Sequence, residues 1–395
     1  MANAAAELAT RVVEAVGRAT GNAPPPLLLH QPTFAGNEWQ YVKQCIDTRW
    51  VSSAGSFVTQ FEQELAKFTG AAHAVAVVNG TAALHVTLLL CGVDSQSEVL
   101  IPSLTFVATA NAVSYCGAIP HLCDVSRATL GLDPQKLAEH LDDLAELRGE
   151  VCFNKQTDRR IAAVVPMHTF GHCVDLDGLI KVADRWRIPL IEDAAESLGS
   201  YYHGRHSGTF GRMGVLSFNG NKTITTGAGG AILTNDASLA THAKHLTTTA
   251  KQPHAWEFVH DEIGYNYRMP NICAALGCAQ LEQLPALLDQ KRRLARAYMD
   301  SFAEIGGISI MPEPAGSRSN YWLNTLVLDA PDMEMRDRLL KALNDAGFQS
   351  RPIWRPMHQL PMYKECPKMD LSTTEALAAA LINVPSSASL APGSR

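Results

Sequence analysis

The chain has 395 residues, 46% of them apolar and 18% charged, and a formal net charge of −6. It is long enough for a large core plus a second unit and apolar enough to fold, while its acidity and lack of a Lys/Arg cluster exclude a nucleic-acid partner. No apolar run approaches the roughly 18 residues of a membrane span. The first turns carry Glu7, Arg11, Glu14 and Arg18 where a signal peptide would be apolar, and the nine cysteines lack metal-ligand pairing, so a cytoplasmic protein with reduced thiols is expected.

Residues 1–22 carry a weak amphipathic helical pattern (Leu8, Val12, Val13, Val16) that Pro24-Pro25-Pro26 stops, and residues 1–26 read as an appended extension. From 27 to 271 strand-like and helix-like stretches alternate. Strands are expected at 74–78, 98–102, 119–124, 161–167 and 190–193, and helices at 80–90, 105–115, 134–147 and 176–187. Apolar strands alternating with helices predict an α/β domain built on a mostly parallel sheet covered on both faces. One long helix, 272–305, then leads into a smaller α+β unit with a strand at 321–328 and a helix at 335–346, so that 272–395 forms the second unit.

Several segments carry chemistry. Asn79-Gly80-Thr81-Ala82-Ala83-Leu84 sits where a strand turns into a helix; unpaired N–H groups there favour a phosphate, although an Asn/Thr helix cap is the plainer reading. No G-x-G-x-x-G marks this turn, which disfavours a dinucleotide fold. Phe106, at a strand edge, is either a stacking aromatic or a core side chain. Asp193 ends the apolar run from Ile188, while its neighbour Glu192 points to the opposite side and reads as structural. Lys222 follows Leu216-Ser217-Phe218-Asn219-Gly220-Asn221 and precedes Gly227-Ala228-Gly229-Gly230, a polar, glycine-rich setting unsuited to packing. A strand-end acid and a later lysine are the two groups that pyridoxal phosphate needs, one for its ring nitrogen and one for its aldehyde. His168 and His172 read as satisfied loop histidines, and no metal is expected.

Five segments, in this order, carry a family resemblance: Asn79 to Leu84, Pro102-Ser103-Leu104-Thr105-Phe106, Glu192-Asp193-Ala194-Ala195, Ser217-Phe218 with Lys222, and Gly264-Tyr265-Asn266-Tyr267-Arg268. From about Leu27 onward the chain resembles the sugar aminotransferases of the DegT/DnrJ/StrS type, pyridoxal-phosphate enzymes of fold type I. Residues 30–34 and 48–53 resemble the legionaminic-acid-pathway branch. The resemblance implies that Lys222 forms the Schiff base and that Asp193 partners the pyridine nitrogen. It gives Phe106 the role of stacking on the ring, Gly80, Thr81, Ala82 and Ser217 that of holding the phosphate, and Glu196 a contact to the cofactor hydroxyl. Asn266 would reach the phosphate from the other subunit of a homodimer, and Trp50, Ser53, His168 and His358 would approach the sugar. Two positions depart from the pattern: Glu196 stands where many relatives have glutamine, and Ala228 where a glutamate is frequent. A lysine at 222, where the dehydratases among these relatives carry histidine, implies transamination. The implied reaction moves an amino group from L-glutamate, held by Arg351 or Arg355, to a nucleotide-linked 4-keto-6-deoxy sugar. The alternatives are a dehydratase or a transaminase acting on a non-nucleotide keto-sugar.

Overall fold

The computed structural model describes residues 2–394. Its helices are Ala2–Ala19 (α1), Glu38–Asp47 (α2), Ser56–Thr69 (α3), Gly80–Leu90 (α4), Val107–Tyr115 (α5), Pro134–Leu144 (α6), Leu176–Trp186 (α7), Ala237–Thr247 (α8), Asn271–Phe302 (α9), Met333–Asp345 (α10) and Ser372–Ala378 (α11). Its strands are His73–Val77 (β1), Ser97–Pro102 (β2), Ile119–Cys123 (β3), Ala145–Arg148 (β4), Val151–Asn154 (β5), Arg159–Val164 (β6), Ile191–Asp193 (β7), Tyr201–Tyr202 (β8), Arg205–His206 (β9), Met213–Ser217 (β10), Gly230–Thr234 (β11), Ile308–Ile310 (β12), Ser317–Arg318 (β13), Asn324–Leu328 (β14), Arg351–Pro352 (β15) and Leu381–Val384 (β16).

Short polar side chains start many of the helices. Asn79 accepts the N–H of Ala82 at the head of α4, and Asp133, Asp175, Asp236 and Asp332 do the same for α6, α7, α8 and α10. Each such cap stabilises its helix by about 1 kcal/mol. The main sheet joins two ladders. In one the order is β1-β11-β10-β7, with β11 antiparallel to both neighbours and β10 parallel to β7. In the other β3, β2 and β6 run parallel, and parallel bridges Val164–Leu190 and Met167–Asp193 connect it to β7.

Both faces of this sheet are buried, which explains its continuous apolar strands. Val75, Val77 and Val215 pack on one face with α4 and α8, while the alternating Ala76 and Leu216 pack on the other with α3 and α9. The second unit is an antiparallel sheet, β12-β14-β16-β15, accompanied by α10 and α11.

Two expectations need correction. Residues 145–148 do not extend the helix at 134. The chain turns at Gly149 (φ +64°) so that β4 pairs with β5, because edge pairing next to β6 outweighs the helical pattern of the leucines. Nor is the segment 1–26 an appendage. Val12, Ala15, Val16 and Ala19 of α1 are fully buried in one cluster with Leu294 and Tyr298 of α9 and Leu339 and Leu343 of α10. Burial of this kind contributes about 1.5–3 kcal/mol for each large aliphatic side chain. Among the described residues no helix is long and apolar enough to cross a membrane.

Candidate active site

A cavity of about 640 Å³ opens at the carboxyl ends of the main sheet and is closed by the second unit. This is where ligands sit in open α/β sheets, because the loops there differ freely while the strands hold them rigidly. From the sheet side it is lined by Gly80 and Thr81 at the head of α4, Phe106 before α5, Asp193 at the end of β7, Ser217 at the end of β10, and Glu196 and Lys222 in the loops that follow. From the second unit come Trp322, Trp354, Arg351 and Arg355.

Asp193 and Glu192 alternate across β7. Asp193 faces the cavity; its Oδ2 accepts the Thr109 hydroxyl at 2.7 Å and its Oδ1 the N–H of Ala195 at 3.2 Å. Burial raises its pKa above the ordinary carboxylate range, against the pull of Thr109, Ala195 and Lys222. A buried carboxylate with, among the described residues, two neutral donors is one that a cationic N–H would satisfy.

Lys222 lies in a turn, its N–H donating to the Asn219 carbonyl. The amine is 3.2 Å from Glu196 Oε1 and 3.9 Å from the ring centre of Trp322, whose indole N–H donates to the Asn221 carbonyl at 2.7 Å. Glu196 also accepts the N–H of Phe170, and burial pushes its pKa up to about 7 despite Lys222. The site therefore holds a carboxyl that changes charge near neutrality beside its amine. Around them space is kept by glycine. A Cβ at Gly80 would stand 3.0 Å from that of Ser217, and one at Gly230 would strike the Asn79 backbone at 2.5 Å.

Not every expected residue is here. Ala82 lies behind the wall, with its N–H occupied by Asn79 Oδ1 at 2.8 Å, so the helix-cap reading holds for that donor. His168 is sealed in the core. It accepts the Val174 N–H at Nδ1 and meets Glu192 Oε2 at Nε2, which removes it from any sugar. His358 stands outside the cavity lining, between the Ser103 hydroxyl and Glu375. Trp50, Ser53 and Asn266 are exposed and outside the lining as well. Trp322, Trp354, Met167 and Phe170 line the cavity unforeseen. Tyr321, directly before Trp322, holds the left-handed φ of +48°, a backbone feature with no signature in a segment free of glycine.

The sequence profile of the DegT/DnrJ/EryC1/StrS aminotransferase family matches residues 32–394. The chain is 38% identical over 367 residues to the GDP-perosamine synthase of Caulobacter vibrioides, covering 93% of this chain and 94% of that one. Its fold is similar to that of the aminotransferase TlmJ from Streptoalloteichus hindustanus, with a TM-score of 0.82 and 29% identity over 91% of this chain and 93% of that one. It is also similar to DesI, solved in the presence of its TDP-sugar product, with a TM-score of 0.79 and 28% identity over 93% and 91% of the two chains. The chain thus belongs to the DegT/DnrJ/EryC1/StrS aminotransferase family and is a pyridoxal-phosphate-dependent aminotransferase of fold type I.

Proposed function

We propose that this protein moves the amino group of L-glutamate to the keto carbon of a nucleotide-linked sugar, a 4-keto-6-deoxyhexose, in amino-sugar biosynthesis for a surface polysaccharide. The observation that carries this reading is the buried carboxylate of Asp193 and the amine of Lys222 on the walls of one cavity, in a chain 38% identical to a GDP-perosamine synthase. When bound, pyridoxal phosphate supplies an electron sink that makes the α-proton of an amino acid removable. The residues fit that group. Asp193, short of a cationic partner, keeps the ring nitrogen protonated, and Phe106 offers a face to the ring. The hydroxyls of Thr81 and Ser217, beside the helix head that begins at Gly80, suit the phosphate.

Lys222 provides the covalent attachment. With pyridoxal phosphate bound, the freed Nζ of Lys222 would carry the donor's α-proton, and in the second half of the cycle it would hand a proton back. Glu196, 3.2 Å away, stands ready to compensate charge as that amine gains and loses its proton. Arg351 and Arg355 at the rim supply guanidinium groups for the donor carboxylate.

We place the protein in the cytoplasm as a homodimer. Asn266 lies outside the cavity of its own chain, so a contact to the phosphate calls for a second copy. Trp39, Trp256, Phe258 and Ile263, each at least 75% exposed, are a set of apolar side chains that such a partner would cover. The legionaminic-acid-type branch rests on residues 30–34 and 48–53.

The test is an absorbance spectrum of the purified holoenzyme before and after L-glutamate. Conversion of the visible band to a near-ultraviolet one supports the donor half of the cycle, and its return on adding GDP- or TDP-linked keto-sugars supports the acceptor half. A band that glutamate leaves untouched removes the donor assignment. A converted enzyme that no nucleotide-linked keto-sugar reoxidises removes the acceptor.

A further inference from the structure

Lys291 is a buried lysine away from the cavity, on the middle of α9 where the two units meet, and only 1% of it is exposed. Among the described residues no carboxylate accepts from it. Its three protons go to the carbonyl of Ser386 at 2.7 Å, the carbonyl of Trp322 at 3.1 Å and Nε2 of His30 at 3.0 Å. Leaving an ammonium without a counter-charge in such a place is costly, and burial pushes its pKa down to about 7. A plain apolar side chain would pack there at lower cost, so the amine calls for a reason.

Its acceptors supply one. All three belong to segments that bear on the cavity wall. His30 follows Leu29, which lines the cavity, and the Leu29 carbonyl is held in turn by the N–H of Ser386. Trp322 is itself the platform under Lys222, with the amine over its ring at 3.9 Å and its indole N–H on the Asn221 carbonyl. The peptide just before it is strained, since Tyr321 holds φ +48°, and such a conformation persists only where neighbouring contacts fix it. Those contacts are Ser319 Oγ on the N–H of Tyr321, Asn320 Oδ1 on the N–H of Trp322, and Lys291 on the Trp322 carbonyl. His30 is neutral in this setting, because burial and then the charges of Lys291 and Lys222 hold its pKa well below the usual value. Its Nε2 lone pair is therefore free to accept from Lys291, which leaves the hydrogen on Nδ1, sealed from solvent and, among the described residues, without a partner.

We propose that Lys291 is a positioning residue for Lys222: it fixes the Trp322 carbonyl, and so the indole that supports the Lys222 amine on its face and Asn221 at its edge. The link runs through one residue and makes no contact with substrate. It differs from a simple staple between the units, because a staple would affect unfolding but not the electronic setting of Lys222.

Holoenzyme carrying Lys291→Met tests this directly. The pH at which the cofactor's visible band changes form should move by roughly 0.5 unit or more. The rate of the glutamate half-reaction should fall about tenfold, with its KM changed less than about twofold. Trp322→Phe, which keeps Lys291 but removes the indole donor, should move the band's transition in the same direction, and the double variant should be no worse than the more damaged single variant. A Lys291→Met enzyme that melts earlier but keeps the wild-type band transition would be a staple only, and the proposal would fall. It would fall equally if Trp322→Phe left the band transition unchanged, a result that stands even if Lys291→Met does not fold.

Discussion

Glu192 and Asp193 are adjacent on β7 and face opposite sides of it, and the two sides are finished differently. Glu192 is surrounded by donors: His168, and the N–H groups of Gly208, Phe210 and Gly211. Burial opposes its charge, yet the His168 hydrogen bond and the glycine N–H groups outweigh burial and hold its pKa below the ordinary range. On the cavity side Asp193 has two donors and a raised pKa. A carboxylate that is fully satisfied by its own chain anchors the fold, whereas one left short of partners is available to a ligand.

That contrast can be broken by substitution. Lys222→Ala, on the cavity side, should lower glutamate turnover on the order of 10^4-fold and abolish the glutamate-induced spectral change; wild-type turnover would end the assignment. Asp193→Asn should cost on the order of 10^3-fold in turnover, with a denaturant midpoint close to wild type. Glu192→Gln should do the reverse. Stability should drop by about 3 kcal/mol in denaturant unfolding, because buried donors lose an ionised partner, while turnover per folded molecule stays within about threefold. If Glu192→Gln were silent in stability but dead in turnover, the two faces would have been misassigned.

The smallest expected effect concerns pH. The folded pKa of Glu196 is raised to about 7, so its contribution to stability is present below the ordinary glutamate range and is lost as pH rises through about 7. Glu192 behaves oppositely: its contribution is present above the ordinary range and is lost as pH falls through its lowered pKa. Melting of the apoprotein across pH 4 to 8 should therefore be flatter at the neutral end in Glu196→Gln than in wild type. The same variant should keep turnover within about tenfold and move its pH profile.

Much of the site was legible because its residues fall at the ends of strands whose apolar runs are continuous. Asp193 and Ser217 end such runs, and Thr81 and Lys222 sit in the polar segments just after them. The opposite roles of Glu192 and Asp193 follow from the alternation of a strand. What escaped was set by distant partners. The leucines of residues 137–147 keep a helical spacing, and only pairing with β5 turns 145–148 into a strand. Trp322 enters the wall from the second unit on a strained peptide. The resemblance placed His168 at the sugar, but Glu192 beneath it claims the ring.

The helix α1 has a consequence for the order of assembly. Arg11 donates to the Glu304 carbonyl 293 residues away, and the strand-like contact of Leu27 with Phe348 spans most of the chain again. The core cluster that α1 completes belongs to the unit that delivers Trp322 and Arg351. Contacts of such high sequence separation form late, since the loop they close is long and its entropy must be met first. The cavity roof is thus expected to settle only after the two extremes of the chain have met, so a truncation before Leu27 should slow refolding of the site more than refolding of the main sheet.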